Sequence, residues 1–557
     1  MLRIKNIWLT LSLLLIFFLF LQKAAEAQTS VSQVMMPDFV ALESAGLLSH
    51  SMPLSLGNDL YRGSKRSDLV ALMHLIPAHS ESFTMQALAT RFLLTAADAG
   101  AIKNDTAPEA GSDLLTLRLE KLIERGLYDK AFDLYSSLSV APYHERLARA
   151  GVLAMLGNGE KALACIEIKS LFTRFKEKTF WQEVNAYCSL TLSETLDEKY
   201  KSVIHQSQKS VLKLLTDWKA YRFPYTPEFY ESISPLEKAL VAAEGRLILS
   251  HFDSQSRSAL PATHLQILLK NKSTDQKPMG YALLLAEGIK KGVLSPKDLD
   301  AYYKKMVDKA EKKQSLVPDD DPLAKLVLIT YATPEKIDVF TFSSQIVETA
   351  HTHGPIFVTP FLSFLDSEHL QDISLEDTKN LLQAFFYAQK PVPVALIEKL
   401  GFFYSKMENK DGTISNLQAA LNLMKLTSQE DQDHPIDIID YFYKNELIST
   451  EEQQNIIENI DMPVNGHDNV SEVYENGFDK EINTEYIMPS FDIHKRLEET
   501  SYHHFLGETV VLSSLVLKTG GQTLLENAAF PLVLESFDKL GLNKETNRLA
   551  IEALLLD

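Results

Sequence analysis

The residues of this chain whose types suggest chemistry are a few histidines, one glutamate-serine pair and two cysteines. His144-Glu145 opens like the His-Glu-x-x-His metalloprotease motif, but no second histidine stands four residues after the first. Without it, the two imidazoles that grip zinc from one helix face are missing. His351-x-His353 would present two ligands from one face of a strand, yet its flanks carry no strand pattern and no partner carboxylate at a familiar spacing. His503 and His504 are adjacent, and adjacent helical side chains do not converge on one ion. No Gly-x-Ser-x-Gly elbow, phosphate-binding glycine loop or dinucleotide fingerprint occurs. These residues predict no catalytic group, no metal ligand and no cofactor.

Cys165 and Cys188 are the two cysteines of the chain. In an oxidising compartment such a pair reads as a disulfide; two buried thiols are the alternative. Both fall on consecutive predicted helices. They face each other if the first helix runs to Arg174 and the second starts at Thr179, and are offset by about one turn if the first ends near Leu171. Soluble lytic transglycosylases combine a periplasmic helical superhelix with a glutamate that protonates the glycosidic oxygen, and Glu231-Ser232, in an aromatic setting, is the glutamate–serine pair here to set against them. The glycine-rich segment of that family is absent here, and Ile233-Ser234-Pro235 follows instead. A lone carboxylate without a shaped site is a poor general acid.

The elements that would position these residues read as helices. Arg3 and Lys5 precede an apolar run from Ile7 to Leu21, and Ala25-Glu26-Ala27 supplies the small-x-small pattern of a cleavage site. Residues 1–27 therefore predict a cleaved signal peptide and a periplasmic mature chain with no further membrane span. The whole chain carries a formal net charge of −19, which argues against nucleic acid and anionic lipid as partners. Glycine is scarce, 22 residues in 557, below the usual ~7% and in keeping with helices joined by short turns. Residues 28–66 lack periodicity and predict a poorly ordered lead-in. From there helix starts recur. Thr226-Pro227, Ser234-Pro235, Ser295-Pro296 and Thr333-Pro334 each place a capping hydroxyl before a proline suited to the first helical position. Ser234 with Glu237, and Ser449 with Glu452, have capping-box spacing.

Residues 67–196 predict helical repeats, and 112–196 carry the strongest organisation. Gly126-x-Tyr128-x-x-Ala131-x-x-x-Tyr135 resembles the turn and second helix of a tetratricopeptide repeat. Gly157 to Ile166 repeats it 31 residues later, with Gly159 where an aromatic is usual and Ala162 as the small residue. Leu119, Lys169 and the position of Pro142 depart from that pattern, and the resemblance covers about residues 112–196. It implies an all-α, helix-hairpin α-solenoid, a superhelical array of antiparallel helix pairs with a concave face for a peptide or protein. Tyr128, Tyr135 and Arg149 would lie near that groove, the tyrosines also serving as packing. Residues 197–460 predict further helix pairs. Residues 461–499, with ten acidic against three basic side chains, predict an acidic loop, and 500–557 a C-terminal helical cap in which Gly541 ends one helix and Asn543 starts the last.

The expected function is an exported scaffold or adaptor that binds an envelope protein or an extended peptide. A polysaccharide-acting envelope enzyme or ligand-binding protein, with a site not visible as a linear motif, is the alternative. An assembly factor working through its acidic loop is a third reading.

Overall fold

A computed structural model describes residues 39–80, 82–106, 113–138, 142, 144–193, 201–203, 223–224, 232–244, 247–248, 265, 278–310, 322–332, 339–365, 370, 372–406, 412–428, 442, 493–517 and 523–556. The signal-peptide region, the Thr226-Pro227 and Thr333-Pro334 starts, the Ser449 capping box, Glu231 and most of the acidic stretch lie outside them.

Among the described residues the chain is all-α, apart from a two-residue parallel pairing of Phe223–Pro224 with Leu247–Ile248 and the single bridges Leu48–Thr95 and Lys65–Lys103. An opening group comprises α1 (Phe39–Glu43), α2 (Arg66–Leu75), α3 (Phe83–Leu94) and α4 (Leu114–Glu124). Next come α5 (Tyr128–Ser136), α6 (Glu145–Gly157), α7 (Lys161–Phe175), α8 (Thr179–Ser193) and α9 (Pro235–Glu244). A long middle run holds α10 (Pro278–Lys290), α11 (Pro296–Ala310), α12 (Pro322–Ala332), α13 (Val339–His353), α14 (Leu375–Ala388), α15 (Val394–Lys406) and α16 (Gly412–Ser428). The closing group is α17 (Ile493–Tyr502), α18 (Leu506–Val516), α19 (Phe530–Lys539) and α20 (Asn543–Leu556). Sequential helices pack on one another from α4 to α8, from α10 to α16 and from α17 to α20. Among the described residues no helix is long and apolar enough to cross a membrane.

Local chemistry sets the ends of these helices. Glu237 accepts from the Ser234 backbone N–H at 2.9 Å, closing the capping box that starts α9. Asp298 does the same for Ser295 at the start of α11, at 2.7 Å, and Ser374 with Asp377 forms a full capping box on α14. Among the described residues, six helices share one stop: a residue at positive φ, followed by an N–H that reaches back five residues to a carbonyl. Leu127 N–H bonds Leu122 O, Glu160 bonds Met155, Val293 bonds Gly288, Lys390 bonds Phe385, Phe505 bonds Thr500 and Leu542 bonds Phe537. This is the Schellman geometry. Glycine supplies the positive φ at 126, 159, 292 and 541; at 389 and 504 it is Gln and His.

Two glycines in this region take positive φ at helix ends, Gly126 (φ 74°) and Gly159 (φ 84°). The helices that follow them begin at Tyr128 and Lys161, while α4 and α6 start from the N-caps Asp113 and His144. Ala131 and Ala164 are both fully buried. Ala162 and Ile166, expected on the inner stripe, point outward instead.

Residues 39–66 differ from the loose lead-in the sequence suggested. Leu60, Tyr61 and Glu43 have no exposed surface. This stretch has no periodicity because it is held through its carbonyls. The buried Arg118 guanidinium of α4 donates to Glu43 O, Ala45 O, Leu93 O and Thr95 O at 2.7–3.2 Å. Arg66 grips the Glu43 carboxylate with two bonds of 2.6 Å, and Glu43 also accepts from Leu114 N–H at 2.9 Å. Residues 493–499, expected within the acidic loop, belong to α17.

The two groups at opposite ends of the sequence pack together. α18 lies on α2 and α3, and α20 contacts α3, α14 and α16. Gly507 N–H donates to Leu60 O at 3.0 Å, an approach so close that a Cβ on Gly507 would collide with that oxygen. α20 is buried on every face, Leu549, Ala550, Ala553 and Leu555 completely so. It is a central strut more than a terminal cap.

Candidate functional site

The three residues expected near a repeat groove are interior. The Tyr128 ring, on α5, fills the space above Gly157, and the Tyr135 ring fills that above Gly151, so that a Cβ at either glycine would land inside a ring. Tyr135 donates its hydroxyl to Glu167 at 2.9 Å. Burial, with the Glu167 carboxylate beside it, pushes that hydroxyl's pKa well above the usual phenol value; burial alone does so for Tyr128. Arg149 is buried on α6, its guanidinium 5.8 Å from the centre of the Phe180 ring and 3.9 Å from Glu145. Beside it, Trp181 Nε1 donates to Glu145 at 2.9 Å. These side chains brace α5, α6 and α8 against one another. Helices α4 and α6 are buried over nearly their whole length, covered by α1, α2, α3 and α9 of the same chain.

Cys165 and Cys188 form a disulfide across α7 and α8, with Cα atoms 5.5 Å apart. Helix α7 ends at Phe175 and α8 starts at Thr179, which sets the two cysteines at matching distances from the turn. The bridge closes a short loop and on the chain-entropy account adds roughly 3 kcal/mol. Below it lie the buried Ala164, Ile168 and Leu171; on the opposite side of α7, Leu163 is 46% and Ile166 65% exposed. They are the two large exposed apolar side chains a single turn apart on one described helix.

Asp113 and His144 approach the geometry of an acid–base dyad. His144 Nε2 stands 2.8 Å from Asp113 Oδ2, while Asp113 Oδ1 accepts from Thr116 N–H and caps α4. Burial raises the Asp113 carboxyl, but the hydrogen bonds from His144 and Thr116 outweigh it and hold the group below its ordinary value. The second imidazole nitrogen, Nδ1, accepts from Leu147 N–H at 3.0 Å and caps α6. With the acceptor nitrogen tied to backbone, no lone pair remains to deprotonate a nucleophile. The pair couples two helix starts.

Glu552, on α20, is a buried carboxylate that sequence reading missed. Its two oxygens accept from Phe83 N–H at 2.6 Å, Thr84 N–H at 2.9 Å and the Ser82 hydroxyl at 3.1 Å. Burial raises its pKa, and those donors pull against the rise. Tyr387 and Phe386 pack edge-on to the Phe83 ring, and the Arg548 guanidinium lies over that ring at 5.6 Å. A carboxylate at a helix N-terminus is favoured by the orphan N–H groups and the helix dipole. Both Glu552 oxygens are committed there, so the group is a cap, not a general acid. The sequence signal, a glutamate in the apolar run of a terminal helix, was present, but its partner lies 469 residues away.

His351 lies 3.2 Å from Asp377 on α14 and is mostly exposed, and His353 packs near Phe357. His503 stacks on Phe505 while His504 occupies the positive-φ position after α17. Among the described residues no group of three or more His, Cys, Asp or Glu is arranged to hold a metal ion. No protein-family model, curated protein or solved structure matches this chain.

Proposed function

We propose that this chain is an exported, periplasmic helical-repeat scaffold that binds another envelope protein or an extended peptide. The observation that carries this reading is the stack of hairpins from α4 to α8, braced by the Cys165–Cys188 disulfide and bearing an exposed apolar pair on α7. A disulfide belongs to an oxidising compartment, in keeping with the predicted signal peptide. The tetratricopeptide-like reading of α4–α7, with second helices 33 residues apart, and an α-solenoid built from such pairs are parts of the same proposal. Because α4 and α6 are covered by the chain itself, the binding surface in this reading is on the outer helices.

The test is fractionation of the native cell, followed by in-cell crosslinking from photoreactive residues at Ile166, Val394 and Tyr502, all exposed. A periplasmic chain that crosslinks one reproducible protein from at least one position supports the scaffold. A cytoplasmic chain, or no adduct from any position, removes it.

A further inference from the structure

Resting on the scaffold reading, we propose that the outer face of α7 is a docking surface for an acidic amphipathic helix of a partner protein. The exposed stripe of α7 runs Ala162, Leu163, Ile166, Lys169, Ser170, Thr173 and Arg174. Its first half is apolar, and its second half carries Lys169 and Arg174 with the uncharged Ser170 and Thr173. Residues 160–178 hold five basic side chains against three acidic ones, in a chain with 55 basic and 74 acidic residues overall. The sign of the surface is thus locally reversed beside the exposed leucine and isoleucine. An apolar anchor seated on Leu163 and Ile166 would place a carboxylate about one turn along at Lys169, with Arg174, which also donates to Pro142 O at 3.0 Å, a further turn on.

The face is also held rigid. Cys165 lies between Leu163 and Ile166 in sequence and ties the inner side of that turn to α8. Tyr135 bonds Glu167 from α5, and Lys161 bonds Glu244 of α9 at 3.1 Å. Glu167 and Lys161 are therefore occupied within the chain. A braced helix loses little freedom on binding, which favours affinity.

The test uses the full chain and two synthetic 18-residue helical peptides with the same leucine face, one flanked by Glu and the other by Lys. Fluorescence anisotropy is expected to show binding of the Glu-flanked peptide and at least tenfold weaker binding of the Lys-flanked one. Ile166→Asp and Lys169→Glu should each weaken the first by about tenfold, while Val394→Asp on α15 leaves it unchanged. Equal binding of both peptides, an equal loss with Val394→Asp, or preference for phosphatidylglycerol vesicles over the Glu-flanked peptide overturns the proposal. In cells, adducts from Val394 or Tyr502 without any from Ile166 would keep the scaffold and discard this face.

Discussion

Among the described residues, two carry backbone conformations that their side chains disfavour. Gln389 (φ 55°) and His504 (φ 56°) stand at helix stops where glycine serves at four other positions. A left-handed backbone costs an ordinary residue roughly 1–2 kcal/mol. Gln389→Gly should therefore raise stability, by about 0.5–1 kcal/mol after the added freedom of the unfolded chain is subtracted. A higher urea midpoint with an unchanged m-value would confirm it. His74, half-buried on α2, has its imidazole pushed down to about 3, first by burial and then by Arg146 and Lys121. The unfolded chain takes up that proton near pH 6.5 and the folded one only near 3, so stability is full above 6.5 and declines as pH falls toward 3. The slope is about 1.4 kcal/mol per pH unit within that window. His74→Leu should flatten the decline between pH 6.5 and 4; an unchanged profile would remove His74 as its source. The loss tied to Asp113 is separate, because its depressed carboxyl gives way only below the ordinary carboxylate range.

At the scale of elements, helix starts and stops were legible because their chemistry is local. Ser234-Pro235, Ser295-Pro296 and Gly541 each act through partners within five residues. The glycine that ends α6 was not legible, for the opposite reason. Gly157 and Gly159 both suit a turn in the sequence, and only the fold shows that Gly159 takes the positive φ while Gly157 yields space to the Tyr128 ring. On α7, Ala162 faces outward and Ala164 inward. These helices approach closely because their glycines lack side chains. Gly157→Ala should thus cost about 1–3 kcal/mol through overpacking, and Gly151→Ala a similar amount against Tyr135. Combining Gly157→Ala with Tyr128→Leu should recover part of the loss, as a double-mutant cycle in chemical denaturation would show; additive losses would refute the contact.

At the scale of the molecule, the decisive contacts were not legible at all. Arg118 gathers carbonyls up to 75 residues away, and Glu552 caps a helix from 469 residues away. No local pattern encodes either. Glu552→Ala should leave two N–H groups and a hydroxyl without acceptors in a dry junction, at a cost of about 3 kcal/mol. Glu552→Gln keeps an acceptor and should cost less. Denaturation midpoints of both variants equal to that of the unsubstituted chain would show that the charge and hydrogen bonds contribute nothing.

The meeting of α3 with α20 also imposes an order of events. A chain that emerges N-terminus first, from a ribosome or a translocation pore, presents Phe83 long before Glu552. Until the later residue arrives, α3 starts without its carboxylate, and Leu88 and Phe92 lack part of their cover. Closing an unstructured loop of 469 residues would cost roughly 5 kcal/mol in entropy, so the intervening hairpins must form first and shorten it. The opening helices are thus synthesised first yet completed last. In the interval they expose an apolar surface that a holding chaperone would recognise.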